Sequence, residues 1–194
     1  NVIGGRDFAE MLSCGAKNLS LHRTEVNDLN VFPIPDGDTG DNMLMTFTSG
    51  IQSVGEKNDL PSVVKAAAEG MLLGARGNSG VILSRIFAGI IKELCACEYA
   101  TLVDIKRGMR NGVKESYSSV SKPVEGTILT VFRDAVNYAE RCDNGTIAAY
   151  FNDITEEMAR SLERTPDLLP VLKEADVVDS GGAGLLFIFE GIAA

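Results

Sequence analysis

Thr101-Leu-Val-Asp-Ile-Lys-Arg-Gly-Met-Arg-Asn-Gly-Val-Lys-Glu-Ser-Tyr-Ser-Ser-Val-Ser-Lys122 decides the fold class of this chain. Leu102, Ile105, Met109, Val113, Tyr117 and Val120 recur at steps of three and four. That spacing draws one apolar stripe along a helix, with charged residues on the remaining surface. A half-buried strand would need alternation with period two, and the stretch has none. The same spacing returns on both sides. Residues 6–23 carry Phe8, Met11, Leu12, Gly15 and Leu19; residues 79–96 carry Val81, Ile82, Ile86, Gly89 and Ile90. Residues 146–164 repeat it with Ile147, Phe151, Ile154, Met158 and Leu162, and shorter helices fit 41–54, 61–74, 126–141 and 182–193. Strand-like alternation is nearly absent elsewhere. About eight antiparallel helices with short connections follow, an all-α bundle or barrel forming a single domain over residues 1–194.

Composition narrows the class of partner. The chain has 194 residues, 45% of them hydrophobic, and a formal charge of −9. No run of about 18 apolar residues exists to span a membrane. No Lys/Arg-rich block is present either, so nucleic acid and anionic membranes are poor partners. An acidic chain that binds a polyanion needs cations to mediate the contact. Cys14, Cys95, Cys97 and Cys142 lack the paired spacing and nearby histidine of a zinc site, and reduced thiols in a cytoplasmic protein are expected. His22, the one histidine, has no acid or serine at a telling spacing. The chain starts at Asn1 rather than Met and stops in an apolar helical run, so a domain cut from a longer polypeptide is expected.

The chemistry concentrates in loops. Asn30-Val-Phe-Pro-Ile-Pro-Asp-Gly-Asp-Thr-Gly-Asp-Asn-Met43 joins two helical stretches. Pro33 and Pro35 fix their own φ and push the preceding residues toward extended geometry. If that geometry continues to Asp38, Asp36 and Asp38 face one side with Cα atoms about 6.5–7 Å apart, a spacing suited to a shared hard cation. Gly40 permits a turn, after which a helix begins with Thr39 or Asp41 as its cap. Phosphate suits the free N–H groups of that helix start. A plain solvated turn has the same composition. A calcium loop does not fit: its third ligand position is Gly40, its required glycine is Asp41, and its bidentate glutamate is Phe47.

Gly74-Ala-Arg-Gly-Asn-Ser-Gly80 suits either an anion-binding nest or an ordinary helix connection, with Asn78 or Ser79 able to cap the following helix. It is neither a P-loop nor a dinucleotide fingerprint, and Ser79 lacks a base for hydrolase chemistry. Val177-Val-Asp-Ser-Gly-Gly-Ala-Gly184 and Pro123-Val-Glu-Gly-Thr127 are further small-residue entries into helices. In an up-and-down bundle alternate loops share an end, so residues 36–41, 74–80, 123–127 and 177–182 are expected on one rim.

Taken together, Asn30-Val-Phe-Pro-Ile-Pro-Asp-Gly-Asp-Thr-Gly, Gly74-Ala-Arg-Gly-Asn-Ser-Gly-Val-Ile-Leu-Ser, Lys122-Pro-Val-Glu-Gly-Thr-Ile-Leu-Thr and Val178-Asp-Ser-Gly-Gly resemble the dihydroxyacetone kinase L-subunit (DhaL-type) domain. More narrowly, the chain is similar to the N-terminal ATP-binding domain of the bacterial fatty acid kinases. The resemblance implies an eight-helix antiparallel barrel with ATP on one rim, held through two Mg2+ ions. It places metal on Asp36 and Asp38, which are also the catalytic pair, and on Asn30, which stands near a third family aspartate. Asp41, usually threonine in that branch, either joins the metal shell or caps the helix. Thr39 stands where dihydroxyacetone kinases carry histidine, which favours the fatty-acid branch. The resemblance assigns nucleotide contacts to Thr39, Gly40, Asn42, Met43, Asn78, Ser79, Gly80 and Thr127, with Asp179, Ser180 and Gly181 closing the pocket. It also implies a separate fatty-acid-binding carrier protein, docked through domains outside this chain; oligomers through such domains are compatible with it. A dihydroxyacetone-type kinase and a nucleotide-sensing domain without transfer chemistry are the alternatives.

Overall fold

A computed structural model describes residues 1–194. Ten helices and one pair of short strands make up the chain. The helices are α1 (Gly5–Leu21), α2 (Arg23–Asp28), α3 (Thr39–Val54), α4 (Leu60–Leu73) and α5 (Gly77–Leu94), then α6 (Leu102–Ser118), α7 (Ile128–Arg141), α8 (Ile147–Leu168), α9 (Pro170–Ala175) and α10 (Ser180–Ala193). Eight are long and match the eight periodic stretches. Two six-residue helices, α2 and α9, are additions too short to display an apolar stripe. The strands β1 (Val2–Ile3) and β2 (Ala100–Thr101) pair antiparallel and are too brief for alternation to reveal them.

Consecutive helices pack side by side from α3 through α8, and short connections make each pair antiparallel. The last helix returns to the middle: α10 packs against α1, α3, α7 and α8. Only Glu190 of its helical residues is exposed, as expected for a helix apolar around nearly its whole circumference. Phe189 of α10 lies 6.5 Å from Phe87, 6.0 Å from Phe132 and 6.4 Å from Phe151, ring centre to ring centre. One aromatic cluster thus ties α5, α7, α8 and α10 together.

Local chemistry sets the helix limits. Asp59 accepts the Ser62 N–H at 3.0 Å to start α4, and Thr101 with Asp104 forms a reciprocal capping box on α6. Each such cap stabilises its helix by about 1 kcal/mol. The α8 helix runs past its expected end, through Pro166. A proline there cannot donate to the Leu162 carbonyl, and the Thr165 hydroxyl donates to that carbonyl instead, at 2.7 Å. The last turn survives because the freed acceptor is satisfied.

Candidate functional site

The amino ends of α3, α5, α7 and α10 meet at one end of the bundle. Ser180 Oγ, on the first residue of α10, donates to Thr39 Oγ1, on the first residue of α3, at 3.1 Å. Gly77 opens α5 with φ +66°, and a Cβ there would lie 2.5 Å from Asn42 Nδ2 of α3. The positive φ is what favours glycine at this position, since the Asn42 amide is the movable end of a side chain. A Cβ on Gly181 would lie 3.1 Å from Ser79 Oγ and 3.3 Å from Ile128 Cβ, which brings α5, α7 and α10 together.

Between these ends lies a cleft with two lobes. The narrow lobe, about 190 Å³, is lined by Asp36, Asp38, Thr39 and Asn42 and by the start of α5. The wide lobe, about 410 Å³, is lined by apolar Val81, Ile82, Val120 and Leu129, with Thr127, Asp179, Ser180 and Gly181 at its floor. Phe32, Pro33, Asn78 and Ser79 border both lobes. Lys122 is the one cationic side chain lining either lobe.

The acidic loop reaches its geometry by a different route from the extended one expected. Gly37 takes φ +67°, so the run breaks between the two aspartates. Their carboxyl groups still face each other: the Asp36 carboxyl is raised above the usual range, first by hydrogen bonding with Asp38, then by desolvation and by the Asp38 charge. Two carboxylates held this close favour a shared proton or a shared cation. No third His, Cys, Asp or Glu joins them as a cluster of three. Asn30 braces the loop from beneath, accepting the Asp38 N–H on Oδ1 at 3.1 Å and donating to the Ile34 carbonyl at 3.1 Å.

Other expected residues lie elsewhere. The residue preceding α3 is Asp38, and no side chain caps this helix, neither Thr39 nor Asp41. Asp41 turns away from both lobes to pair with Arg23 at 3.3 Å, and its N–H donates to Asn27 of α2. Gly40 and Met43 line neither lobe. A Cβ on Gly40 would meet the Arg23 carbonyl oxygen at 2.4 Å, so this glycine lets α2 and α3 touch. Met43 is fully buried, with its sulfur against Gly184 of α10. Gly80 packs against the Thr46 hydroxyl rather than lining the cleft. The α5 helix begins at Gly77, so Asn78 and Ser79 sit within its first turn instead of capping it.

A DAK2 domain family model matches residues 33–194. The chain belongs to the DAK2 domain family. It is 48% identical to protein YloV of Bacillus subtilis (strain 168) over 197 residues, covering 100% of this chain and 36% of that protein. It is also 48% identical to protein SSP1546 of Staphylococcus saprophyticus over 198 residues, covering 97% of this chain and 35% of that one. The chain thus spans about a third of the length of these relatives. Among solved structures, dihydroxyacetone kinase from C. freundii in complex with AMP-PNP and Mg2+ superposes with a TM-score of 0.66 at 19% identity, over 95% of this chain and 33% of that one. The native form of that kinase superposes with a TM-score of 0.68 at 15% identity, over the same shares of the two chains. At such identities the likeness is one of fold.

Supports for the cleft in this DAK2 domain come from residues that no motif singled out. Thr46 of α3 is fully buried; its hydroxyl donates to the Asn42 carbonyl at 2.8 Å and accepts the Arg76 N–H at 3.0 Å. It thereby fixes the start of α5 against α3. Glu125 stands inside a motif, yet its role is visible only in the fold. Its carboxylate accepts from Thr130 Oγ1 at 2.5 Å, Tyr117 Oη at 3.1 Å and Arg133 at 3.0 Å, pinning the loop that walls the wide lobe. Charge-assisted bonds of this kind are stronger than neutral ones.

Asp179 has the most unusual environment. It is 4% exposed, precedes α10, and accepts the Gly182 N–H at 2.8 Å. Desolvation lifts its carboxyl to about 6, with the Gly182 and Ile128 N–H groups opposing the shift. The folded protein therefore holds a proton at a pH where the unfolded chain has released it. Stability is expected to fall as pH rises from about 4 to about 6, by on the order of 3 kcal/mol, and to stay lower above that window. Asp59 and Asp104, held below their usual range by hydrogen bonds, act in the opposite direction. Their contributions cancel when wild type is compared with Asp179→Asn, in which this decline disappears. Urea unfolding of both proteins across the window measures the difference; parallel stability curves would refute the shift.

Proposed function

We propose that this domain binds a magnesium–nucleoside triphosphate and serves a kinase, with phosphates in the narrow lobe and the nucleoside in the wide lobe. One observation carries the reading: a facing carboxylate pair stands where the amino ends of α3 and α5 converge, beside an apolar lobe of about 410 Å³. Helix starts favour anions, and an acidic pair beside them makes sense when a divalent cation lies between carboxylate and phosphate. Asp36 and Asp38 would hold Mg2+, whose bound form neutralises charge on the phosphates. Two carboxylates suffice, because magnesium keeps several waters and takes its remaining oxygens from phosphate. The kinase of similar fold from C. freundii was crystallised with AMP-PNP and Mg2+, which supports the same ligand class here.

The protein's own work is positioning. Thr39, Asn42, Asn78 and Ser79 present hydroxyl, amide and backbone donors along one side of the narrow lobe. Apolar side chains around the wide lobe exclude water from the nucleoside, and the pinned 119–127 loop keeps that wall in place. Phosphoryl transfer asks a protein chiefly for such placement and for charge neutralisation. For the acceptor we propose a fatty-acid carboxylate presented by a separate carrier. Its oxygen forms a bond to the γ-phosphorus as the bond to the ADP oxygen breaks, giving acyl phosphate without a general base. Asp36 and Asp38 are accordingly the catalytic pair, and no residue is assigned as a base.

Calorimetric titration of the domain with ATP tests the first part. Binding is expected with Mg2+ and is expected to weaken by about 30-fold or more after EDTA, corresponding to ~2 kcal/mol. Equal affinity in both conditions would remove the metal from the site. The acceptor is tested with the full-length polypeptide and ATP. Acyl phosphate formed only with a fatty-acid-loaded carrier supports the proposal; turnover only with dihydroxyacetone on its partner reverses the acceptor. ATP binding with transfer to neither points to a nucleotide sensor.

A further inference from the structure

The floor of the wide lobe holds a negative charge where two helices begin. Asp179 Oδ2 accepts the Gly182 N–H of α10 at 2.8 Å, and the Ile128 N–H at the start of α7 faces the same carboxylate. Its own N–H donates to Thr165 Oγ1 of α8 at 3.1 Å, so its backbone is held from a third element. Gly181 sits between Ile128 and the carboxylate: a Cβ there would lie 3.3 Å from Ile128 Cβ and 3.4 Å from Asp179 Oδ2. The groups packed around Asp179 from α7, α8 and α10 are hydroxyls, backbone amides and apolar side chains, with no charged partner shifting it. The other ionisable groups lining the cleft are Lys122 in this lobe and Asp36 and Asp38 in the narrow one.

We infer that Asp179 is a built-in anion and a selectivity residue: it fills the α7 and α10 amino ends, bars anions from the wide lobe, and leaves that lobe for the uncharged end of the ligand. The inference rests on the nucleotide reading and extends it. Of four helix starts at one rim, those of α3 and α5 open on the narrow lobe, whose carboxylates, Asp36 and Asp38, cap neither helix, whereas those of α7 and α10 are met by Asp179. Free N–H groups at a helix start attract phosphate or sulfate whichever lobe they face. Without Asp179 the wide lobe would present a second anion site, and a triphosphate would have two competing registers. With it, a phosphate entering the wide lobe meets a carboxylate in poorly solvated surroundings and is repelled. The same carboxylate holds α7 and α10 in register, so one side chain both builds the floor and sets its sign.

The test uses adenosine as the uncharged probe and sulfate as the anion, since sulfate keeps its charge across the pH range used. Saturation-transfer NMR reads adenosine binding to the wild type, Asp179→Asn and Asp179→Ser. The serine variant keeps an acceptor for the Gly182 N–H without the charge, which protects the fold should the asparagine variant unfold. Sulfate is expected to leave adenosine binding to the wild type unchanged near neutral pH, and to compete with it in both variants. On the wild type alone, sulfate competition is expected to emerge near pH 5, where the carboxyl is protonated. A wild type that binds both Mg-ATP and adenosine, with adenosine indifferent to sulfate in every variant and at both pH values, overturns this inference alone. A wild type that binds neither Mg-ATP nor adenosine overturns the nucleotide reading and this inference with it.

Discussion

Asp36→Ala and Asp38→Ala are each expected to lower Mg-ATP affinity by about 100-fold or more, while the helical circular dichroism stays that of the wild type. The expected loss, ~2.7 kcal/mol, is that of a charge-assisted anchor between cation and protein. The fold survives because the two carboxylates stand on a loop outside the helices, and no core residue depends on either side chain. The Asn30 amide supports that loop through the Asp38 backbone N–H, which both variants retain. Asp41→Ala is the internal control. Its carboxylate faces Arg23, so affinity is expected to stay within about threefold, as for an exposed surface ion pair. Calorimetric titration decides between these outcomes. Undiminished affinity in both Asp36 and Asp38 variants would leave the cleft without its metal-holding groups, and equal losses at Asp41 would show nonspecific electrostatics instead.

Phe189→Ala is expected to cost about 3–5 kcal/mol of folding stability, the range for removing a large buried aromatic side chain. The ring is 1% exposed and stands at the centre of contacts with Phe87, Phe132 and Phe151. Its removal leaves a hole that three helices cannot close together, because each is anchored by neighbours on its other side. The consequence extends to the cleft. Ser180, which donates to Thr39, and Asp179, which lines the wide lobe, sit at the start of the helix that Phe189 anchors. Urea unfolding reads the stability loss directly. A loss under about 1 kcal/mol would mean that α10 is not the central strut of the bundle.

Much of this organisation is legible in the sequence. The eight long helices follow from apolar residues at steps of three and four, a signal written within each segment. The cleft loops are legible too, because glycine, proline and small hydroxyl residues gather at four helix entries. The α3 segment carries a finer signal than its loop motif. Gly40, Met43, Phe47, Gly50 and Val54 share one buried face, while Thr39 and Asn42 line the narrow lobe. The period alone marks Gly40 and Met43 as packing residues, and weighting that stripe against motif position sets them apart from Asn42. Asp41 is different: its pairing with Arg23 depends on where α2 lies, and α2 is too short to announce itself. Asp36 and Asp38 do face each other, but through the positive φ of Gly37 rather than through strand alternation.

The sequence by itself determined the helices, their short connections, and the residue types available at one rim. These are near-neighbour properties, set by backbone sterics, by side-chain periodicity and by caps that reach three residues along the chain. Only the tertiary structure decided which residues line the cleft and what charge its floor carries. The burial of Asp179 requires Ile128 from α7, Thr165 from α8 and Gly182 from α10 around one carboxylate. Such a site depends on desolvation and on helix ends brought together from distant segments, and neither is a property of any single stretch of chain.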